Sequence, residues 1–277
     1  MTPDLCKQPH DRRSPTFTDS SAAIAPHVPE SCFSCPIRKT TICKPFADSR
    51  LDIVSTLKSG DYILRGGASL CAQGEPSNFL YSLMSGWTAM VVLHDTGQRR
   101  VLDIRMPGAF IGMDALDLSL PAERAVHVHG ASVECVTDIS VCAMSTKGFR
   151  QLLSEHSDLS MRLNELAISQ SLRLQNRLGR EGNVRSRSRL ANFVLDTYDR
   201  ASLYSPSMVR GHEMHWPLTQ EMVGDALGVT SVQVCNIAKK LREDGALSLE
   251  RGRLKILNRA LLEDIGLYEA DPRLLMP

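Results

Sequence analysis

Three of the chain's eight cysteines fall close together, in Cys32-Phe-Ser-Cys35-Pro-Ile-Arg-Lys-Thr-Thr-Ile-Cys43. Two residues between Cys32 and Cys35 let both sulfurs turn toward one centre, and the longer arm to Cys43 brings a third sulfur round it. Pro36 and Pro45 fix backbone angles beside these ligands and stiffen the loop. Soft thiolates grouped in this way select zinc or an iron–sulfur cluster over hard cations. Structural zinc usually takes paired C-x2-C units, and one such unit is present here. Three sulfurs leave a four-iron cluster one ligand short, and Cys142, Cys135 and Cys71 are the candidates for the fourth. A small zinc loop, or a cluster of reduced structural cysteines, is the simpler reading of the same residues. Cys6 and Cys235 complete the set; with Cys71 they are expected to be reduced, partly buried thiols. A disulfide framework does not suit a 277-residue chain whose start, MTPDLCKQPHDRRS, lacks the apolar stretch of an export signal.

A second chemistry lies near the other end, over residues 218–257. Thr219 is placed to cap a short helix through Met222, Val223, Ala226 and Leu227. Gly228 then supplies a left-handed turn residue, and Thr230 caps a second helix of about thirteen residues. Helix, glycine turn and capped helix make a helix-turn-helix. Val234, Ile237, Ala238 and Leu241 form its inward stripe. Thr230, Ser231, Gln233, Asn236, Lys239 and Lys240 are left at the cap, outward or along the flank. Gln and Asn can each bond adenine through two atoms, and lysines there can hold phosphates. Asp244-Gly245 ends the helix, and Leu247–Leu249 and Leu254–Ile256 form a hairpin, or wing, with a basic tip at Arg251 and Arg253. The competing reading is an ordinary pair of core helices. Glu243, Asp244 and Glu250 nearly balance the local bases, so affinity for double-stranded DNA is expected to depend on a homodimer binding a palindromic operator.

The elements between must position these two ends. Residues 1–30 are rich in Pro, Ser, Asp, His and Thr without periodicity and read as a mobile tail. From Asp61 to Met144, short apolar runs alternate with glycines, which suggests a β-barrel or jelly roll. The Asp95-Thr96-Gly97 turn reads as a hairpin. After Lys147 the period becomes helical: Leu159, Leu163, Leu166 and Leu174 share one face, with Met161, Ile168 and Leu172 nearly opposite. A helix apolar on two sides must be covered on two sides, and the leucine stripe is assigned to a partner helix in a dimer. Gly179–Ser188 is a basic hinge. The expected domains are the tail (1–30), the cysteine cluster and sensor (31–150), the dimerisation helix (151–182) and the DNA-binding domain (183–277). A formal net charge of +1 excludes a polybasic coat protein, and no run of about 18 apolar residues exists. The expectation is a soluble, cytoplasmic protein.

In this order the motifs resemble the CRP/FNR superfamily of bacterial transcription regulators, and within it the oxygen-sensing FNR branch. The resemblance runs from about Cys32 to Leu262. It is carried by the cysteine block ending Cys43-Lys-Pro45-Phe46, by Gly112-Met-Asp-Ala-Leu116, by the long helix followed by Arg189-Leu190-Ala191, and by the winged helix-turn-helix. It implies an α+β fold: an N-terminal cyclic-nucleotide-binding-like β-roll, a long dimerisation helix and a C-terminal winged helix-turn-helix. It also implies a [4Fe-4S] cluster held by Cys32, Cys35, Cys43 and Cys142, with Cys135 the competitor, and a DNA-binding homodimer under low oxygen that contacts RNA polymerase. The C-x2-C-x7-C arm matches members with the longer spacing. Two departures follow. Met113 stands after Gly112 where the cyclic-nucleotide branch has a carboxylate, so cyclic AMP is disfavoured even though Arg124 is present. Asn236 replaces the family's usual guanine-reading Arg, and Val232 and Cys235 replace polar readers, so the operator sequence is left open.

Two other function classes fit part of the pattern. One is a regulator of the same fold whose cysteines bind zinc or sense thiol oxidants, with nitric oxide or a small effector as its signal. The other is a metal-stabilised β-roll interaction module that does not bind DNA. The helix-turn-helix with its wing speaks against the second. No phosphate-binding loop, nucleophile elbow or H-E-x-x-H pattern is present, and an enzyme is not expected. His127 and His129 read as strand surface.

Overall fold

Alternating apolar residues and glycine turns fold the first half of the chain into two antiparallel sheets. The structure is a computed structural model and describes residues 25–27, 31–76, 78–116, 118, 128–180 and 185–277. The elements of this half are β1 (Ala25–His27), α1 (Leu51–Leu57), β2 (Lys58–Leu64), β3 (Ser69–Cys71), β4 (Phe79–Ser85), β5 (Thr88–Leu93), β6 (Arg99–Arg105), β7 (Phe110–Ile111), β8 (Ser132–Cys135) and β9 (Ile139–Ser145). One sheet runs β1-β2-β9-β4-β7 and the other β3-β8-β5-β6, which together make a β-roll. Along β9, Ile139, Val141 and Ala143 are buried while Ser140, Cys142 and Ser145 are half-buried. The period of two thus turns Cys142 away from the interior that holds Ile139 and Val141. Most of the expected tail lies outside the described residues, but the expectation is corrected at its end: Ala25–His27 adds an edge strand to β2.

The helical stretch is two helices, not one. α2 (Thr146–Glu155) is capped by the Ser145 hydroxyl, and the chain turns extended at His156 before α3 (Ser157–Arg180). His156 stacks edge-on against Phe46, which fixes the break. On α3 the buried positions are Leu159, Arg162, Leu166, Ser169 and Arg173, spaced three and four residues apart on one face. Leu159 and Leu166 are buried in the chain's own core, with Leu163 packed beside them, and Leu174 is half-buried. The assignment of this stripe to a partner is therefore corrected. Its polar members bond to the chain's own groups, and Met161, Ile168 and Leu178 are the apolar side chains left 67%, 49% and 65% exposed.

The last part comprises α4 (Ser186–Tyr204), β10 (Val209–Arg210), β11 (Glu213–His215), α5 (Gln220–Leu227), α6 (Ser231–Glu243), β12 (Leu247–Glu250), β13 (Arg253–Ile256) and α7 (Arg259–Gly266). Its sheet runs β10-β11-β13-β12. One continuous core joins it to the roll: Val91, Val101, Ile104 and Met106 belong to the same buried cluster as Leu190, Phe193, Val194 and Leu227. Trp87 sits in this cluster fully buried, and its indole Nε1 donates to Ser205 Oγ at 3.1 Å. Removing a tryptophan so placed costs about 3–5 kcal/mol. Among the described residues no helix is long and apolar enough to cross a membrane.

Candidate metal centre and nucleic-acid interface

The cysteine loop lies on the outer face of the first sheet. Cys142 pairs in register with Asp61 of β2 on one side and Ser82 of β4 on the other. Thr41 from the loop donates to Ser82 Oγ at 3.2 Å, which docks the loop beside Cys142. Ile42 and Phe46 anchor it from below, buried with Leu80, Phe110, Met144 and Phe149, and Cys32 and Cys43 pack against the same cluster. Cys32, Cys35, Cys43 and Cys142 consequently come together. Cys142, Cys35 and Cys32 lie near enough to Cys43 to oppose its ionisation, and Cys32 and Cys35 near enough to oppose that of Cys142. Cys135 and Cys71 are both buried in a separate cluster with Leu64, Leu83 and Val133, inside the roll. Cys6 lies outside the described residues.

Burial pushes the Cys43 thiol well above its usual range, and the neighbouring sulfurs of Cys142, Cys35 and Cys32 push the same way. Burial likewise pushes Cys142 up to about 12, with the Lys58 ammonium pulling the other way. Lys58 Nζ itself pairs with Asp61 Oδ2 at 2.6 Å. Among the described residues no three His, Cys, Asp or Glu side chains converge closely enough to hold a single metal ion. A four-iron cluster makes a different demand, because each thiolate binds a different iron and the sulfurs surround the group. Four grouped thiols that would ionise on binding a cation fit such a donor set.

The loop is tied directly to α3. Arg162, 4% exposed, donates through Nε to the carbonyl of Thr41 at 3.2 Å and through Nη2 to the carbonyl of Thr40. Its Nη1 pairs with Glu165 at 2.8 Å. Arg50, just past the loop, pairs with Asp158 at the start of α3 at 2.9 Å. Sequence reasoning missed Arg162, since nothing local links it to residues 121 positions away.

At the other end, α5 and α6 form the expected helix-turn-helix. Thr219 Oγ1 accepts from Met222 N, and Gly228, at φ 65°, closes α5. A Cβ on Gly224 would stand 2.6 Å from the carbonyl of Val229, so only glycine lets the turn lie this close to α5. Thr230 and Gln233 make a reciprocal capping box at the start of α6. Asn236, Lys239 and Lys240 are exposed, Ser231 is half-buried, and Val232 is 65% exposed on the same helix. Gln233 is exposed, but its Oε1 accepts from Thr230 N at 2.9 Å. Its oxygen thus serves the cap here, the same atom that a two-atom adenine contact would use. The wing is present, with Arg251 and Gly252 at φ 50° and 71° between β12 and β13.

A small cleft in the roll is lined by Met90, Arg105, Phe110, Gly112, Met113 and Asp114 among others. Asp114 accepts from Gly130 N at 3.0 Å and lies 4.0 Å from His129 Nδ1. His129 is 5% exposed, which corrects its reading as strand surface. His127 and Arg124 lie outside the described residues.

Comparison with known proteins bears on both halves. Residues 53–156 match the cyclic nucleotide-binding domain family, and residues 188–265 match the Crp-like helix-turn-helix domain. The chain is 22% identical over 240 residues to the nitrogen fixation regulation protein FixK of Bradyrhizobium diazoefficiens, covering 85% of this chain and 93% of that one. It is 23% identical over 246 residues to the transcriptional activator protein FnrL of Cereibacter sphaeroides, covering 87% and 94%. The solved structure of FixK2 from Bradyrhizobium japonicum superposes with a TM-score of 0.64 at 18% identity, over 76% of this chain and 98% of that one.

Proposed function

Because the chain belongs to the CRP/FNR family of DNA-binding transcription regulators, we propose that it responds to oxygen through a [4Fe-4S] cluster on Cys32, Cys35, Cys43 and Cys142. The observation that carries this reading is that one roll cysteine, Cys142, sits in register beside Ser82, where the loop bearing the other three is docked through Thr41, while Cys71 and Cys135 stay inside the roll. When bound, the cluster would supply the oxygen-labile element. The chain's own part is conformational. The Cys32–Cys43 loop forms neither strand nor α-helix, so its shape depends on how its cysteines are held. Arg162 carries that shape to α3 through the Thr40 and Thr41 carbonyls. On the far side of α3, Met161, Ile168 and Leu178 offer an apolar stripe to a second copy. A change of a few kcal/mol in how the loop holds α3 suffices to shift a monomer–dimer balance. The homodimer would then present two α6 helices to the half-sites of a palindromic operator, where it would contact RNA polymerase.

The test is anaerobic purification with iron, sulfide and zinc analysis and a visible spectrum before and after air. About four irons and four sulfides per chain, with a thiolate–iron band that bleaches in air, are expected. Cys142→Ala should lose the band while Cys135→Ala keeps it. Zinc alone, or equal losses in both variants, would refute the cluster reading and leave the DNA-binding assignment intact.

A further inference from the structure

The hinge end of α3 gathers more positive charge than the described residues neutralise. Arg105, Arg173, Arg177, Arg180, Arg189 and Arg200 lie there with two carboxylates, Asp103 and Asp196. Asp103 is shared by Arg105 at 3.3 Å and by Arg173 and Arg200 at 3.2 Å each, and Asp196 is 3.6 Å from Arg200. Helix ends offset part of the remainder. Arg180 donates to the carbonyls of Gly266 and Leu267 at the end of α7, and Arg189 to the carbonyl of Leu227 at the end of α5. Each such end is worth about half a negative charge. Asp114 also acts on Arg105, and the sum stays positive by about two charges.

The hydrogen bonding tells the same story. Arg177 donates to the carbonyl of Leu102 at 2.7 Å and lies over the Phe193 ring. After these contacts Arg173 Nη2, Arg177 Nη2 and Arg189 Nε are buried without an acceptor among the described residues. Arg173 is only 4% exposed. The Arg173 charge is met by Asp103 and its Nη1 by Ser169 and the Leu274 and Met276 carbonyls, yet each of these three N–H groups is left without an acceptor, which is costly in a buried donor. These three arginines, with Arg180, Asn176, Asn192 and the carboxylate of Asp196, line one shallow cleft between α3, α4 and α5. Guanidinium groups approaching from several sides suit the several oxygens of a phosphate group.

We propose that this cleft binds a small molecule carrying a phosphate group. It stands apart from the cysteine loop and from the cleft in the roll, and it touches α3, α4 and the end of α5 beside the turn of the helix-turn-helix at once. A ligand there would fix the angle between α3 and the DNA-binding domain, since it bridges side chains from all three helices.

Calorimetric titration of the full-length protein with inorganic pyrophosphate, at constant ionic strength, tests this. Saturable binding at one site per chain is expected, at least tenfold weaker in Arg177→Gln and in Arg189→Gln, and unchanged in Arg251→Gln at the wing tip. Should Arg177→Gln disturb the fold, Arg180→Gln at the same cleft gives the same readout. Absence of saturable binding, equal binding of sulfate, or equal weakening by Arg251→Gln would overturn the proposal. So would displacement of pyrophosphate by random-sequence duplex DNA, which would make the cleft a contact for the DNA backbone instead.

Discussion

The two ends of α3 are both held by arginine, but against opposite kinds of partner. At the cysteine end Arg162 grips two neutral carbonyls of a loop, and its one carboxylate partner, Glu165, is half exposed. At the hinge end Arg173 meets the fully buried carboxylate of Asp103, which also binds Arg200 of α4. The first is a set of hydrogen bonds that a shift of the loop can break. The second is a low-dielectric ion network that costs more to rearrange. A helix fixed firmly at one end and adjustably at the other is suited to pass on a signal that originates at the adjustable end.

Breaking the firm end should have the largest effect. Burial alone would raise the Asp103 carboxyl, but the guanidiniums of Arg173, Arg200 and Arg105 outweigh it and hold the group well below the usual carboxylate range. Its contribution to stability is thus complete above the unfolded value near pH 4 and is lost as pH falls below that toward the folded value. Asp103→Asn strands three buried arginines and should cost about 3–5 kcal/mol in urea unfolding at pH 7. The penalty should shrink as pH falls below about 4, where the wild type loses the same contribution.

Next in size is the exposed stripe. Ile168→Glu places two carboxylates face to face in the proposed dimer and should weaken it by about 2 kcal/mol, or roughly thirtyfold in sedimentation equilibrium. The unfolding curve of the monomer should hardly move, because Ile168 is half exposed. An unchanged dimer would place the interface elsewhere.

Arg162→Met sharpens the comparison at the adjustable end. Losing charged donors to two carbonyls should cost about 1–3 kcal/mol. Iron content should be retained, while the difference in dimerisation between anaerobic and aerated protein should shrink. Smallest is Thr230→Ala, which removes the capping box of α6 and should cost about 1 kcal/mol. It should also release the Gln233 oxygen, and a gain in contact with adenine at one operator position would report that release.

What the sequence made legible follows the range of each interaction. The roll strands, the capped helix-turn-helix and the wing are local patterns, and each appears where its residues promise it. The cysteine triad was readable for the same reason. Which roll cysteine lies beside the loop was not readable from spacing, because the pairing of Cys142 with Asp61 and Ser82 is a property of the folded sheet. The faces of α3 were misassigned because both carry leucine, isoleucine or methionine. Only the reach of Arg162 and Arg173 to partners 70 or more positions away decides which face turns inward. The part Gln233 plays in the cap was not legible because a cap and a base contact call for the same residue type.

The placement of Trp87 has a practical consequence. The chain has two tryptophans, and they report on different things. Trp216 is packed edge-on against Phe193 within the DNA-binding half. Trp87 belongs to the roll yet donates to Ser205, on the other side of the seam between the halves. Parting the halves would wet the Trp87 indole and red-shift its emission, while Trp216 would serve as an internal reference. The molecule thus carries its own optical gauge of domain separation, readable without a dye and on the time scale of a stopped-flow mixing experiment.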